Sequence, residues 1–201
     1  IARRFNLFSA TAAAASASLV YLCTMRVLRR MHKEVDWQNA AIAFLTATTW
    51  ITGHTLWSQA TITEVYALHA FFSALCLYMV LRDDLLVRSH HWFLFGLFLG
   101  LGLGVHLTLV LMLPALSLLL WPHVKWRRAL ALGVGLMAGL SVYLYLPLAA
   151  SHNPLVNWGN PSSWEGFWWL VSGAPYRRYV LALPLSDLPS RLGAWLQLWG
   201  K

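Results

Sequence analysis

Five apolar runs, most of them close to the length that crosses a bilayer, constrain this chain more than any other feature. They cover about residues 5–25, 37–57, 62–81, 92–121 and 129–148. Only 11% of the residues are charged and 59% are hydrophobic, against about 25% charged in a soluble domain. A soluble core could not hide that much apolar surface, so the bilayer is the expected solvent. The expected fold is all-α: a polytopic transmembrane helix bundle of about five to six membrane segments, forming a single domain over 1–201. Twelve tryptophans suit the aromatic belts at the two membrane interfaces.

The basic residues set a topology. Nine of the fifteen Lys and Arg fall in three connections: Arg26, Arg29, Arg30 and Lys33; Arg82 and Arg88; Lys125, Arg127 and Arg128. By the positive-inside rule these connections are cytoplasmic, while 58–63, which has neither Lys nor Arg, lies outside. The net charge of +8 is therefore a topology signal and does not indicate a nucleic-acid partner. Arg3 and Arg4 before an alanine-rich run could mimic a signal peptide. The run is long and ends in a basic cluster, however, so it reads as a spanning helix with residues expected upstream of Ile1. Cys23 and Cys76 fall inside apolar runs with no CxxC spacing, so neither redox nor metal chemistry is expected.

The fourth run, with basic residues at both ends, is 30 residues long, a helix of about 45 Å against a hydrocarbon core of about 30 Å. A hairpin satisfies the charge rule where a single crossing does not. The spacing predicts a broken or re-entrant helical hairpin over 92–121, bent between Gly100 and Thr108 where glycines weaken the helix. The alternative is one long tilted helix with glycines for close packing. This topology brings Arg3 and Arg4, 57–69, His106 and an extracytoplasmic loop at about 151–179 to one face.

Glu64 heads the third run, where a carboxylate costs about 2.5–3.5 kcal/mol to insert. It is the candidate catalytic residue, the alternative being a packing carboxylate bonded to a neighbouring Arg or Trp. His69, about one turn on, and His106, at the glycine-rich break, are candidate ligands for phosphate or sugar hydroxyls. Tyr66 is expected to pack in the core.

Four motifs carry a resemblance: Arg4-Phe-Asn-Leu-Phe-Ser-Ala10, Trp57-Ser-Gln-Ala with Glu64-Val-Tyr and Leu68-His69, Gly100-Leu-Gly-Leu-Gly-Val-His106-Leu-Thr108, and Tyr143-Leu-Tyr-Leu-Pro147 with Asn157-Trp-Gly-Asn-Pro161. Together they resemble the protein O-mannosyltransferase-like family of bacterial polytopic proteins with a GT-C glycosyltransferase fold. The resemblance implies sugar transfer from a polyprenyl-phosphate donor to a protein or envelope acceptor on the outer face of the bacterial inner membrane. It also implies that the principal acidic residue lies in an outer loop preceding Ile1. Position 160 is Asn where the family often has Asp, and an amide cannot act as a base. Arg177 and Arg178 would meet the donor phosphate, since guanidinium binds phosphate bidentately, or else anchor to headgroups. Asn157, Trp158 and Asn160 would cover the sugar, while Trp164, Trp168 and Trp169 suit an interfacial belt and Arg3 and Arg4 a helix-end snorkel. The expected partners are membrane lipids, the lipid-linked sugar and other membrane subunits. The alternative function is a non-catalytic subunit of a larger complex, binding haem or chlorophyll through His54, His69 or His106.

Overall fold

The computed structural model describes residues 2–32, 36–82, 87–179, 182 and 184–199. Lys33 and Lys201 therefore lie outside the described residues. Every regular element among those described is helical. The chain divides into two compact units, 1–142 and 143–201.

In unit 1, α1 (Ala2–His32) carries the alanine-rich run, which has high helix propensity. α2 (Trp37–Thr52) is capped by Asp36, whose carboxylate accepts the Asn39 N–H. Gly53 leaves the helical region and separates α2 from the short α3 (His54–Ala60), so the second apolar run is two helices, not one. α4 (Tyr66–Val80) lies along α1 in the same direction. Ala12 and Ala13 cluster with Ala67, the Cys23 thiol points to the Ala74 carbonyl, and Arg30 donates to the Leu81 carbonyl at 2.9 Å. α2 returns beside α1, where the Trp50 indole N–H donates to the buried Ser16 hydroxyl.

The 92–121 segment breaks as the charge argument requires. α5 (Ser89–Val105) ends at His106, whose backbone is extended. A 3-10 turn, Leu107–Met112, then leads into α6 (Leu113–Leu120), which has Pro114 in its first turn. Leu116 and Leu120 share a core with Val80 and Trp92. Arg128, at the start of α7 (Trp126–Leu140), donates to the carbonyls of both His123 and Val87 at 2.8 Å. Both ends of the segment thus lie together, as a hairpin demands.

The glycines act differently from the expectation. Gly100, Gly102 and Gly104 are all within α5, and the break falls at His106. The glycines bring α5 and α7 into backbone contact as parallel neighbours. A methyl group at Gly96 would stand 2.2 Å from the Leu132 carbonyl oxygen, and one at Gly139 2.3 Å from that of Leu97. Small residues four apart on each helix permit this approach, a packing mode frequent between membrane helices.

Among the described residues two helical stretches, Arg3–Met31 and Trp126–Ser151, are long and apolar enough to cross a membrane. Tyr66–Val80, Ser89–Val105 and Leu107–His123 are apolar but shorter, so length alone does not support five to six spans. Phe44, Leu118 and Met137 are 63%, 77% and 67% exposed, an apolar exterior that a soluble monomer rarely tolerates in quantity.

Unit 2 contains α8 (Tyr145–Ser151), α9 (Trp164–Val171), the 3-10 turns Ala174–Tyr179 and Leu185–Asp187, and α10 (Leu188–Trp199). Ser163 caps α9 by accepting the Gly166 N–H at 3.0 Å.

Candidate functional site

Unit 1 has two chemically distinct ends. Arg30, Arg82, Arg88 and Lys125–Arg128 gather at one, where α1, α4 and α6 finish and α5 and α7 begin. At the other, the Thr63 hydroxyl donates to Asn6 Oδ1 at 2.5 Å, tying the 61–65 connection to the start of α1. Arg3 and Arg4, exposed one turn before Asn6, belong to this end.

Here α4 and the α5 break bring four side chains together. The rings of His69 and His106 lie 5.1 Å apart, and Tyr66 lies 5.5 Å from His106. Thr108 Oγ1 is 2.7 Å from His106 Nδ1 and 3.3 Å from His69 Nε2. The Thr108 backbone N–H also donates to His106 Nδ1, at 3.3 Å, capping the turn.

One tautomer assignment satisfies all three contacts. His106 Nδ1 accepts from the Thr108 N–H, so it carries no proton and the ring proton sits on Nε2. The Thr108 hydroxyl then donates to Nδ1, and its oxygen is left to accept from His69 Nε2–H. In neutral His69 the lone pair is on Nδ1, which is buried with no partner. An orphaned buried acceptor costs about 1–3 kcal/mol, and native structures keep few of them.

His69 and His106 thus come together. Two other expectations change. Glu64 is not within a helix. It lies in the exposed connection before α4, which begins only at Tyr66. Tyr66 is not a core residue: it is 48% exposed and its ring faces His106. His54 opens α3 with an exposed ring. Among the described residues no three of His, Cys, Asp and Glu are grouped to hold a metal. The role of Thr108 is not evident from the glycine-rich motif that contains it. Its signal was the spacing His-x-Thr after a helix end, the pattern of a side chain capping its own turn.

In unit 2, 157–161 is a turn. Gly159 and Asn160 have positive φ, 69° and 42°, a region Asn tolerates better than most residues. Asn160 Oδ1 accepts from the Asn157 amide at 3.1 Å and from the Ser162 hydroxyl at 2.7 Å. The amide at 160 thus holds the turn through its oxygen, a role a carboxylate could also fill. Trp158 leans on Trp169 at 6.5 Å. Trp164 and Trp168 pack edge to face at 5.4 Å. Arg177 and Arg178 lie in the exposed turn Ala174–Tyr179, and Arg178 both donates to the Tyr179 hydroxyl and covers its ring at 4.8 Å.

Residues 1–130 match the family model described as Protein O-mannosyl-transferase TMEM260 N-terminal domain. Comparison with curated proteins and with solved structures gave no match.

Proposed function

The chain belongs to the protein O-mannosyl-transferase TMEM260 family, and from that premise we propose that it works in a polytopic, GT-C-type membrane enzyme that transfers a sugar from a polyprenyl-phosphate carrier to a protein or envelope acceptor. The observation that carries this reading is the Tyr66–His69–His106–Thr108 cluster at the end of unit 1 opposite the Arg30, Arg82, Arg88 and Lys125–Arg128 group, the end where Arg3 and Arg4 are the only Lys or Arg side chains among the described residues. Cations mark the cytoplasmic side of membrane proteins, so the cluster would open to the outer face, and a bacterial inner membrane is the proposed setting.

In the reaction an acceptor hydroxyl oxygen attacks the anomeric carbon while the bond from that carbon to the carrier phosphate breaks. The hydroxyl proton must leave and the phosphate departs with the electron pair. Glu64, exposed two residues before Tyr66, would orient or deprotonate the acceptor hydroxyl. Within unit 2, Arg177 and Arg178 would bind a phosphate through their guanidinium groups, and the 157–161 turn with Trp158 would bind a sugar.

The test is transfer from a polyprenyl-phosphate sugar by the full-length protein in liposomes. Glu64→Gln should lower turnover, by about 10²–10⁴-fold if it is a general base. A double Arg177/Arg178→Ala change should chiefly raise the donor KM, because the phosphate is bound throughout the cycle. Absence of transfer with any polyprenyl-phosphate sugar would refute the reading.

A further inference from the structure

The hydrogen-bond chain through Thr108 ends in a group with no assigned use. His106 Nδ1 is occupied by the Thr108 N–H and hydroxyl, so the only exchangeable ring proton of neutral His106 is on Nε2, at the opposite corner of the ring. His69 is in turn committed to donating toward Thr108, and its other nitrogen is buried without a partner. The network leaves His69 Nδ1 without a partner and holds His106 in a single orientation. The surroundings favour an oxygen ligand. His106 is half-buried and flanked by the exposed Tyr66 ring, and the α1 end carrying Arg3 and Arg4 is tied to the same connection through Asn6 and Thr63.

We propose that His106 is a substrate-binding hydrogen-bond donor, locked in its Nε2–H tautomer by Thr108 and His69, which gives that proton to an oxygen acceptor on the lipid-linked sugar. Thr108 and His69 are positioning residues: they touch His106, not the ligand. The proposal rests on the glycosyl-transfer reading for its ligand, while the tautomer lock rests on the three Thr108 contacts. The acceptor oxygen belongs either to the phosphoryl group or to a sugar hydroxyl.

The test combines a spectroscopic and a binding readout on the full chain in nanodiscs. Nitrogen-15 spectra of the labelled histidines should show His106 with its proton on Nε2 in wild type and in Thr108→Ser, and a mixture of tautomers in Thr108→Val. Affinities for polyprenyl phosphate and for polyprenyl-phosphate mannose are then measured. Thr108→Val and His106→Phe should weaken binding about tenfold, and Thr108→Ser should retain it. Equal weakening toward both probes assigns the donor to the phosphoryl oxygen, and weakening toward the sugar-bearing probe alone assigns it to a hydroxyl. Undiminished binding in Thr108→Val, or His106 protonated on Nδ1 in wild type, would overturn the proposal alone. Wild-type protein that binds neither probe would overturn the glycosyl-transfer reading and the ligand with it.

Discussion

Gly133 and Gly135 sit two residues apart in α7, and the structure gives opposite expectations for the same substitution at each. A methyl group at Gly135 would stand 2.0 Å from the Phe93 carbonyl oxygen, while one at Gly133 meets nothing within 4 Å. Ordinary contact begins at 3.4 Å, so Gly135→Ala requires the helices to part locally by about 1.4 Å, the difference of those two distances. A radial gap of about 0.5–1 Å already forfeits a quarter to a half of each contact's attraction. Gly96, Gly100 and Gly139 form part of the same seam and would loosen with it. Overpacking of this kind costs about 1–3 kcal/mol, offset in part by the gain of up to about 1 kcal/mol from replacing a helical glycine. Gly133→Ala takes that gain with no cost. That gain is common to both, so the two variants should differ by the overpacking cost, about 1–3 kcal/mol, or about 2–12 °C in Tm at about 2–4 °C per kcal/mol. Thermal unfolding of each purified variant in one detergent measures this. A Gly135→Ala protein as stable as Gly133→Ala would refute the close, parallel packing of α5 on α7.

Further outcomes follow from unit 2 and from the proposed topology. Asn160→Asp keeps an acceptor for both Asn157 and Ser162 and should leave the turn intact. Asn160→Val loses both bonds at a positive φ and should destabilise the turn by about 1–3 kcal/mol, seen as faster proteolysis within 153–163. Ser162→Cys should react with an impermeant maleimide from the extracytoplasmic side, and labelling from the cytoplasmic side alone would contradict the proposed sidedness.

The hairpin at 92–121 was legible because two independent quantities agreed: a run too long for one crossing and cations at both of its ends. Its hinge was legible only to within a few residues. Glycine in a sequence signals either a weak helix or a close approach, and which of these holds depends on the α7 seam, formed by residues far along the chain. The union of His69 with His106 followed from placing both at one membrane face. The bond joining them did not, because Thr108 becomes a bridge only once the backbone turns at His106. Glu64 was misplaced because an apolar run does not announce where its helix begins. The 61–65 connection is held by Asn6 at the far end of α1, a contact that local pattern cannot show. The 157–161 turn was visible as a Gly-Asn-Pro signal, but the role of Asn160 as its double acceptor needed coordinates.

The central claim, that the His69–His106 end of unit 1 receives the lipid-linked sugar, is tested most directly by photoaffinity mapping. A polyprenyl-phosphate mannose carrying a small diazirine on the sugar is irradiated with the full-length protein in liposomes, and the adducts are located by mass spectrometry. Adducts are expected on peptides containing 63–69 and 106–108, competed away by unlabelled donor and lost in His106→Phe. Competable adducts confined to the Arg30, Arg82 and Arg128 end of unit 1 would contradict the claim.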